Sequence, residues 1–236
     1  MTRYGQIEPI APDHDTHSFD CGSQEQTGWL VRHALQAHQS DTAKVYVVCL
    51  EGSRSVAGYY ALAAGAVEHA AAPPKLTKGI GRYPVPVVIL TRLGVDLAQQ
   101  GRGLGSALVR DALFQVASIA ERVGVRALLI HAATPEAAAF YRSIDPGFEP
   151  SPTDPLHVIL LIKDLRRAIR DASAVGRASV VDDRDDELVF RPLPMDPIAA
   201  ARGSLRGQTD EPSSDEARRR TRREEAASDP TRGATR

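Results

Sequence analysis

Val85-Pro86-Val87-Val88-Ile89-Leu90-Thr91-Arg92-Leu93-Gly94-Val95 runs into Asp96-Leu97-Ala98-Gln99-Gln100-Gly101-Arg102-Gly103-Leu104-Gly105-Ser106. ALVRDALFQVASIA then follows, ending at Ala120. An apolar run, a turn dense in glycine and polar residues, and an amphipathic stretch predict strand, loop and long helix. A glycine-rich turn that opens a helix can aim several main-chain N–H groups at one anion, and the helix dipole adds to the field. Two phosphate loops are excluded. No Lys-Ser/Thr follows the glycines, so this is not a nucleotide-hydrolase loop. The spacing of Gly101, Gly103 and Gly105 leaves Leu108 where a dinucleotide fold needs its third glycine. What remains is Gln-x-x-Gly-x-Gly, made by Gln100, Gly103 and Gly105 with Arg102 inside it.

The 236 residues carry a net charge of −1 and 5% aromatics, a soluble globular composition with no global signal for nucleic acid or membrane. No leader pattern and no apolar run of membrane-spanning length is present. Cys21 and Cys49 have no metal or redox spacing and read as small apolar side chains in a reduced, cytoplasmic setting.

Working outward, RYGQIEPI predicts an edge strand. Ser23 is the N-cap expected for a helix through TGWLVRHALQAHQS, with Trp29, Leu30, His33, Ala34 and Ala37 on one face and Trp29 as a core anchor. A hairpin turning at Glu51-Gly52-Ser53 follows. AAAPPKLTKGIGRYPVP reads as a long loop with prolines barring regular structure at both ends. No Asp or Glu lies between Glu68 and Asp96, whereas Lys75, Lys78, Arg82 and Arg92 all do. That local basic excess either stays solvated or meets phosphates. Gly124 stops the long helix, Val125–Ile130 is a strand parallel to the one before the loop, and Thr134-Pro135 starts another helix. Leu156–Ile162 makes a last strand. Beyond Leu165 the apolar residues are too scattered for a core, so 166–236 reads as a charged, disordered tail behind a domain spanning 1–165.

The order of elements and the glycine loop resemble the GNAT N-acetyltransferases, and within them the acetyltransferase toxins of bacterial toxin–antitoxin pairs. The closer likeness is carried by Phe19-Asp20-Cys21-Gly22 with Trp29-Leu30, Gly58-Tyr59-Tyr60, Pro84-Val85-Pro86, Leu93-Gly94-Val95-Asp96 and Gln100 to Gly105. Phe140-Tyr141 and Phe148-Glu149-Pro150-Ser151-Pro152 complete it. The resemblance implies an α/β GNAT fold: a mixed, mostly antiparallel sheet of six to seven strands, a splayed parallel pair and about four helices. It implies acetyl-CoA as cofactor, held by Leu93, Val95, Gln100, Gly101, Arg102, Gly103, Leu104, Gly105 and Ser106. It also implies acetylation of the α-amino group of aminoacyl-tRNA, arrest of translation and a ribbon-helix-helix antitoxin as partner; a homodimer is compatible with it. Two features depart from the family pattern: Asp145-Pro146 lengthens the turn behind Tyr141, and the tail has no counterpart.

Attack on a thioester needs a neutral amine. A lysine amine near pKa 10.4 is neutral in only about 0.04% of molecules at pH 7, whereas an α-amine near 7.7–8.0 is roughly 10% neutral. The strand at 87–95 holds no carboxylate base, which suits an α-amine. Direct transfer through a tetrahedral intermediate is expected, with Tyr141 the candidate acid toward the leaving thiolate. Lys75, Lys78, Arg82 and Arg92 are the candidate tRNA-binding residues. His131, at a strand end, reads as structural although it could lie near the site. Asp182–Phe190 could fold back on the basic region in place of RNA, against the simpler reading of a solvated linker. The competing functions are acetylation of a small-molecule or protein amine, which would not require the basic loop, and a non-catalytic CoA- or protein-binding module.

Overall fold

The computed structural model describes residues 2–178. Seven strands form one sheet in the order β1-β2-β3-β4-β5-β7-β6. They are β1 (Tyr4–Pro9), β2 (Lys44–Leu50), β3 (Val56–Val67), β4 (Val85–Val95), β5 (Ala127–His131), β6 (Glu149–Pro150) and β7 (His157–Leu161). Every neighbouring pair is antiparallel except β4 and β5, which are parallel. The helices are α1 (Gln24–Gln39), α2 (Pro74–Thr77), α3 (Leu104–Arg122), α4 (Pro135–Ile144) and α5 (Ile162–Ala178). The expected mixed sheet with one parallel pair is present. Among the described residues no helix is long and apolar enough to cross a membrane.

Strand alternation divides the core between the two faces. Val88 and Leu90 of β4, Leu128 and Ile130 of β5, and Val158 and Leu160 of β7 pack with Leu108, Val109, Ala112 and Val116 of α3. On the other face Leu30 and Ala34 of α1 pack on Val45, Val47 and Tyr59, while Leu76 of α2 packs on Val87, Leu129 and Ile159. Ser23 caps α1 as expected, its side chain accepting from the Gln26 amide. His33, placed with the apolar face by its spacing, is exposed: Leu30 and Ala34 centre the buried stripe and His33 falls at its rim.

Two stretches carry more helix than their composition suggests. The proline-bounded loop contains a 3-10 turn at His69–Ala71 and the short α2, which Pro74 begins from its first-turn position, where proline is tolerated. At the other end, α5 runs across residue 165, with Ile162 and Leu165 buried at helical spacing against the α3-side core. The Asp182–Phe190 segment lies outside the described residues.

Candidate active site

The site is set by where the parallel pair comes apart. β5 pairs with β4 only from Val87↔Ala127 to Leu90↔Ile130, whereas β3 follows β4 all the way to Val95. The β3–β4 register steps from Leu62↔Leu90 to Ala61↔Arg92, so Thr91 is an extra residue in β4, a bulge immediately beyond the last parallel pair. The bulge bends β4 and inverts its alternation: after Val88 and Leu90 it is Leu93 and Val95 that lie against the α3-side core, while Arg92 and Gly94 turn to the other face. From Thr91 to Val95 the β5-side edge of β4 is left without a strand partner.

At the far end of that free edge lies the glycine loop. Asp96 caps a 3-10 turn over Leu97–Gln99, its carboxylate accepting from the Ala98 amide and from the Asp20 amide. Gln100 donates through Nε2 to the carbonyls of Val95 (3.0 Å) and Cys21 (3.2 Å), tying the loop to β4 and to the segment before α1. These clamps give Phe19-Asp20-Cys21-Gly22 a role that its sequence alone did not disclose.

Gly101 and Gly103 have φ of +74° and +80°, a backbone region that costs other residues strain, and Gly103 is the N-cap of α3. Among the described residues, no loop carbonyl and no side chain accepts from the amides of Gly101 to Ser106. Unpartnered N–H groups at the start of a 19-residue helix are a fit for a diphosphate. Arg102 lies exposed beside them, donating to the Thr2 hydroxyl at 2.5 Å. The loop, the free edge carrying Leu93 and Val95, and the candidate acid occupy the same side of the sheet.

That acid, Tyr141, sits on α4, which Thr134 and Pro135 start as the sequence predicts. Its ring is 7% exposed and packs between Phe140 and Phe148, with ring centroids 5.4 Å and 6.4 Å away. The turn lengthened by Asp145-Pro146 still returns Phe148 to Tyr141. The hydroxyl has no hydrogen-bond partner among the described residues, and burial pushes its pKa up to about 12. A phenol so held is a hydrogen-bond donor rather than a ready source of protons.

The four basic candidates do not form one cluster. Arg92, two residues past Leu90, pairs with Glu25 at 2.5 Å and lies 5.6 Å over the Trp29 ring, so Trp29 serves as a half-buried platform and not only as core. Lys75 is held by Glu149 at 2.5 Å. Lys78 and Arg82 are exposed and have no ion pair among the described residues. A cavity of about 280 Å³ lined by Ile80, Tyr83, Pro84 and Arg126 lies at the opposite end of β4 from the glycine loop.

His131 is exposed, not a core residue, and stacks on His157 of β7 with ring centroids 4.0 Å apart. The Asp154 carboxylate lies 3.4 Å from His157 Nε2. Burial and the neighbouring His157 lower the His131 pKa. His157 carries no sequence signal of its own. Only the pairing of β5 with β7 brings it to His131.

No family model matches the chain. A tRNA-acetylating toxin of Mycobacterium tuberculosis is 44% identical over 171 residues, spanning 72% of this chain and 100% of that relative. The chain belongs to the tRNA-acetylating GNAT toxins. A probable toxin TacT of Sinorhizobium fredii is 28% identical over 169 residues, covering 68% of this GNAT toxin and 92% of the relative. Among solved structures, AtaT complexed with acetyl-methionyl-tRNAfMet is similar at a TM-score of 0.64 and 30% identity, over 71% of this toxin and 99% of AtaT. AtaTR bound with AcCoA is similar at 0.61 and 30%, over 70% and 97%.

Proposed function

We propose that this chain is an acetyl-CoA-dependent N-acetyltransferase that acetylates the α-amino group of aminoacyl-tRNA and thereby stops translation. The observation that carries it is the continuous track from the partner-free amides of Gly101–Ser106, along the unpaired edge of β4, to the point where β4 and β5 meet. Acetyl-CoA supplies an activated acetyl thioester. The amides and Arg102 take the diphosphate, Gln100 holds the loop in shape, and the main chain at Leu93 and Val95 pairs with the amides of the pantetheine arm. Tyr141 donates a hydrogen bond to the sulfur as negative charge develops there. Against a thiol of ordinary pKa near 8.5, full transfer from a phenol at about 12 is uphill by about 5 kcal/mol, so stabilisation precedes proton delivery.

The relatives support the substrate: one is named for tRNA acetylation and another was solved with an acetylated aminoacyl-tRNA. The free cations Lys78 and Arg82, with Arg92 on its Trp29 platform, serve the phosphate backbone on the face opposite α3. A mutant of AtaT was also solved bound to the C-terminus of the antitoxin AtaR; here the partner is a cognate antitoxin of the ribbon-helix-helix type, and the place of action is the cytoplasm. Cell-free translation tests the proposal. The protein should halt synthesis only when acetyl-CoA is supplied, and arrest without acetyl-CoA would contradict it.

A further inference from the structure

We propose that the stacked His131–His157 pair accepts the proton lost by the attacking amine, His131 meeting the substrate nitrogen and His157 positioning and tuning it. This rests on the acetyltransferase reading above and adds to it the group that handles the acceptor.

Place is the first argument. Ile130 makes the last pairing with β4, and His131 is the next residue of β5, at the apex of the opening. A pantetheine arm laid back along β4 from the glycine loop passes Val95 and Leu93 and brings its thioester toward that apex. No Asp or Glu occurs in β4 itself.

Facing is the second. Leu129 belongs to the α2-side core, so His131, two residues on, lies on that same face, as does His157, two residues before Ile159. Tyr141 belongs to the core on the α3 side. The two proton transfers of the reaction are thus divided between the two faces of the sheet. The amine arrives beside the histidines, and the thiolate leaves beside the tyrosine.

The pairing itself comes third. The rings lie 4.0 Å apart between centroids, and burial together with the neighbouring His157 lowers the His131 pKa, so His131 keeps a free lone pair at neutral pH. The groups acting on His131 are His157 from β7 and Asp154 from the turn before it. Asp154 lies 3.4 Å from His157 Nε2 and holds that ring in place, leaving the His131 face of the pair open to the substrate nitrogen. In the transfer the N–C bond forms and the C–S bond breaks. The nitrogen's proton passes to His131 and on to solvent; the sulfur leaves as thiolate and is protonated through Tyr141, which solvent restores. No further reactant is needed.

The test uses the full chain with His131→Gln and His157→Gln, each checked for folding by circular dichroism and for acetyl-CoA binding by calorimetry. Imidazole ¹⁵N NMR of the ligand-free protein should show the His131 step moving upward in His157→Gln, where the neighbouring ring that lowers it is gone. With charged tRNA, His131→Gln should lower kcat about 100-fold near pH 7 with KM changed less than about 3-fold. It should also remove the acid limb of the kcat/KM profile, which His157→Gln should shift instead. A His131 step unmoved by His157→Gln, or a His131→Gln kcat within about 2-fold of wild type, overturns the pair's role alone. Wild-type protein that acetylates no charged tRNA overturns the function reading and the pair with it.

Discussion

Leu90 and Ile130 form the last pair between the two parallel strands, and Thr91, the next residue of β4, is the bulge that turns the chain away. A bulge there does two things at once. It opens the sheet beside a free main-chain edge, and it switches Leu93 and Val95 to the side where α3 presents its bare amides. The hydrogen bond from the Thr91 hydroxyl to the Ala61 carbonyl, 3.2 Å, fixes the extra residue against β3.

Tyr141→Phe removes only a hydroxyl that has no protein partner among the described residues. Folding stability should therefore change little, and acetyl-CoA affinity should stay within about 2-fold. Turnover of charged tRNA should fall about 100-fold or more, the range for a lost general acid or oxyanion donor. Calorimetry and steady-state rates on one preparation check this, and an unchanged rate removes Tyr141 from the reaction.

Gly103→Ala places a Cβ in open space, so its cost is backbone strain alone, about 1–2 kcal/mol at a positive φ. Relief of that strain turns the loop amides off their anion, and acetyl-CoA binding should weaken about tenfold, ~1.4 kcal/mol. Gly124→Ala, also in open space but without a positive φ, is the control and should bind normally.

Lys78→Ala and Arg82→Ala should each weaken binding to charged tRNA. Each should also lower the slope of log K against log salt by about 0.7–0.9 for every phosphate no longer neutralised. Lys75→Ala should do less, because Glu149 already holds that ammonium. Filter binding across a salt series separates them. Equal effects from all three would argue against the assignment.

Asp111 of α3 is buried and accepts from the Tyr60 hydroxyl, while Tyr60 stacks on Tyr46 at 5.0 Å. Burial raises the Asp111 pKa above the usual carboxylate range, outweighing the Tyr60 hydrogen bond, which lowers it. The folded state thus holds this proton more tightly than the unfolded chain. Its contribution to stability is fully present below the ordinary carboxylate pKa and is lost as pH rises through the raised one. Melting curves should show the wild type gaining stability relative to Asp111→Asn on acidification from pH 7 toward 4. An unchanged difference across that range would contradict the assignment.

Much of the architecture was legible because it rests on local signals. Alternation marked β4, the 3.6-residue period marked α3, and Thr134-Pro135 started α4 where a cap followed by proline must. The bulge at Thr91 has no local signature, since it is defined only by the pairing of β4 with β3, a strand distant in sequence. Pro73-Pro74 read as a breaker, yet proline at a helix start costs nothing, and α2 forms there. In the site, the glycine loop was visible as residue types at fixed spacing, and Tyr141 through the family resemblance. The Gln100 clamp, the Arg92–Trp29 platform and the His131–His157 stack were not, because each joins residues far apart in the chain.

The most direct test incubates the protein with acetyl-labelled acetyl-CoA and charged tRNA, then digests the RNA and identifies the labelled product by mass spectrometry. The label should appear on the α-nitrogen of the aminoacyl-adenosine and be absent from uncharged tRNA. Charged tRNA left unlabelled while a free amine or a protein lysine is acetylated would contradict the account.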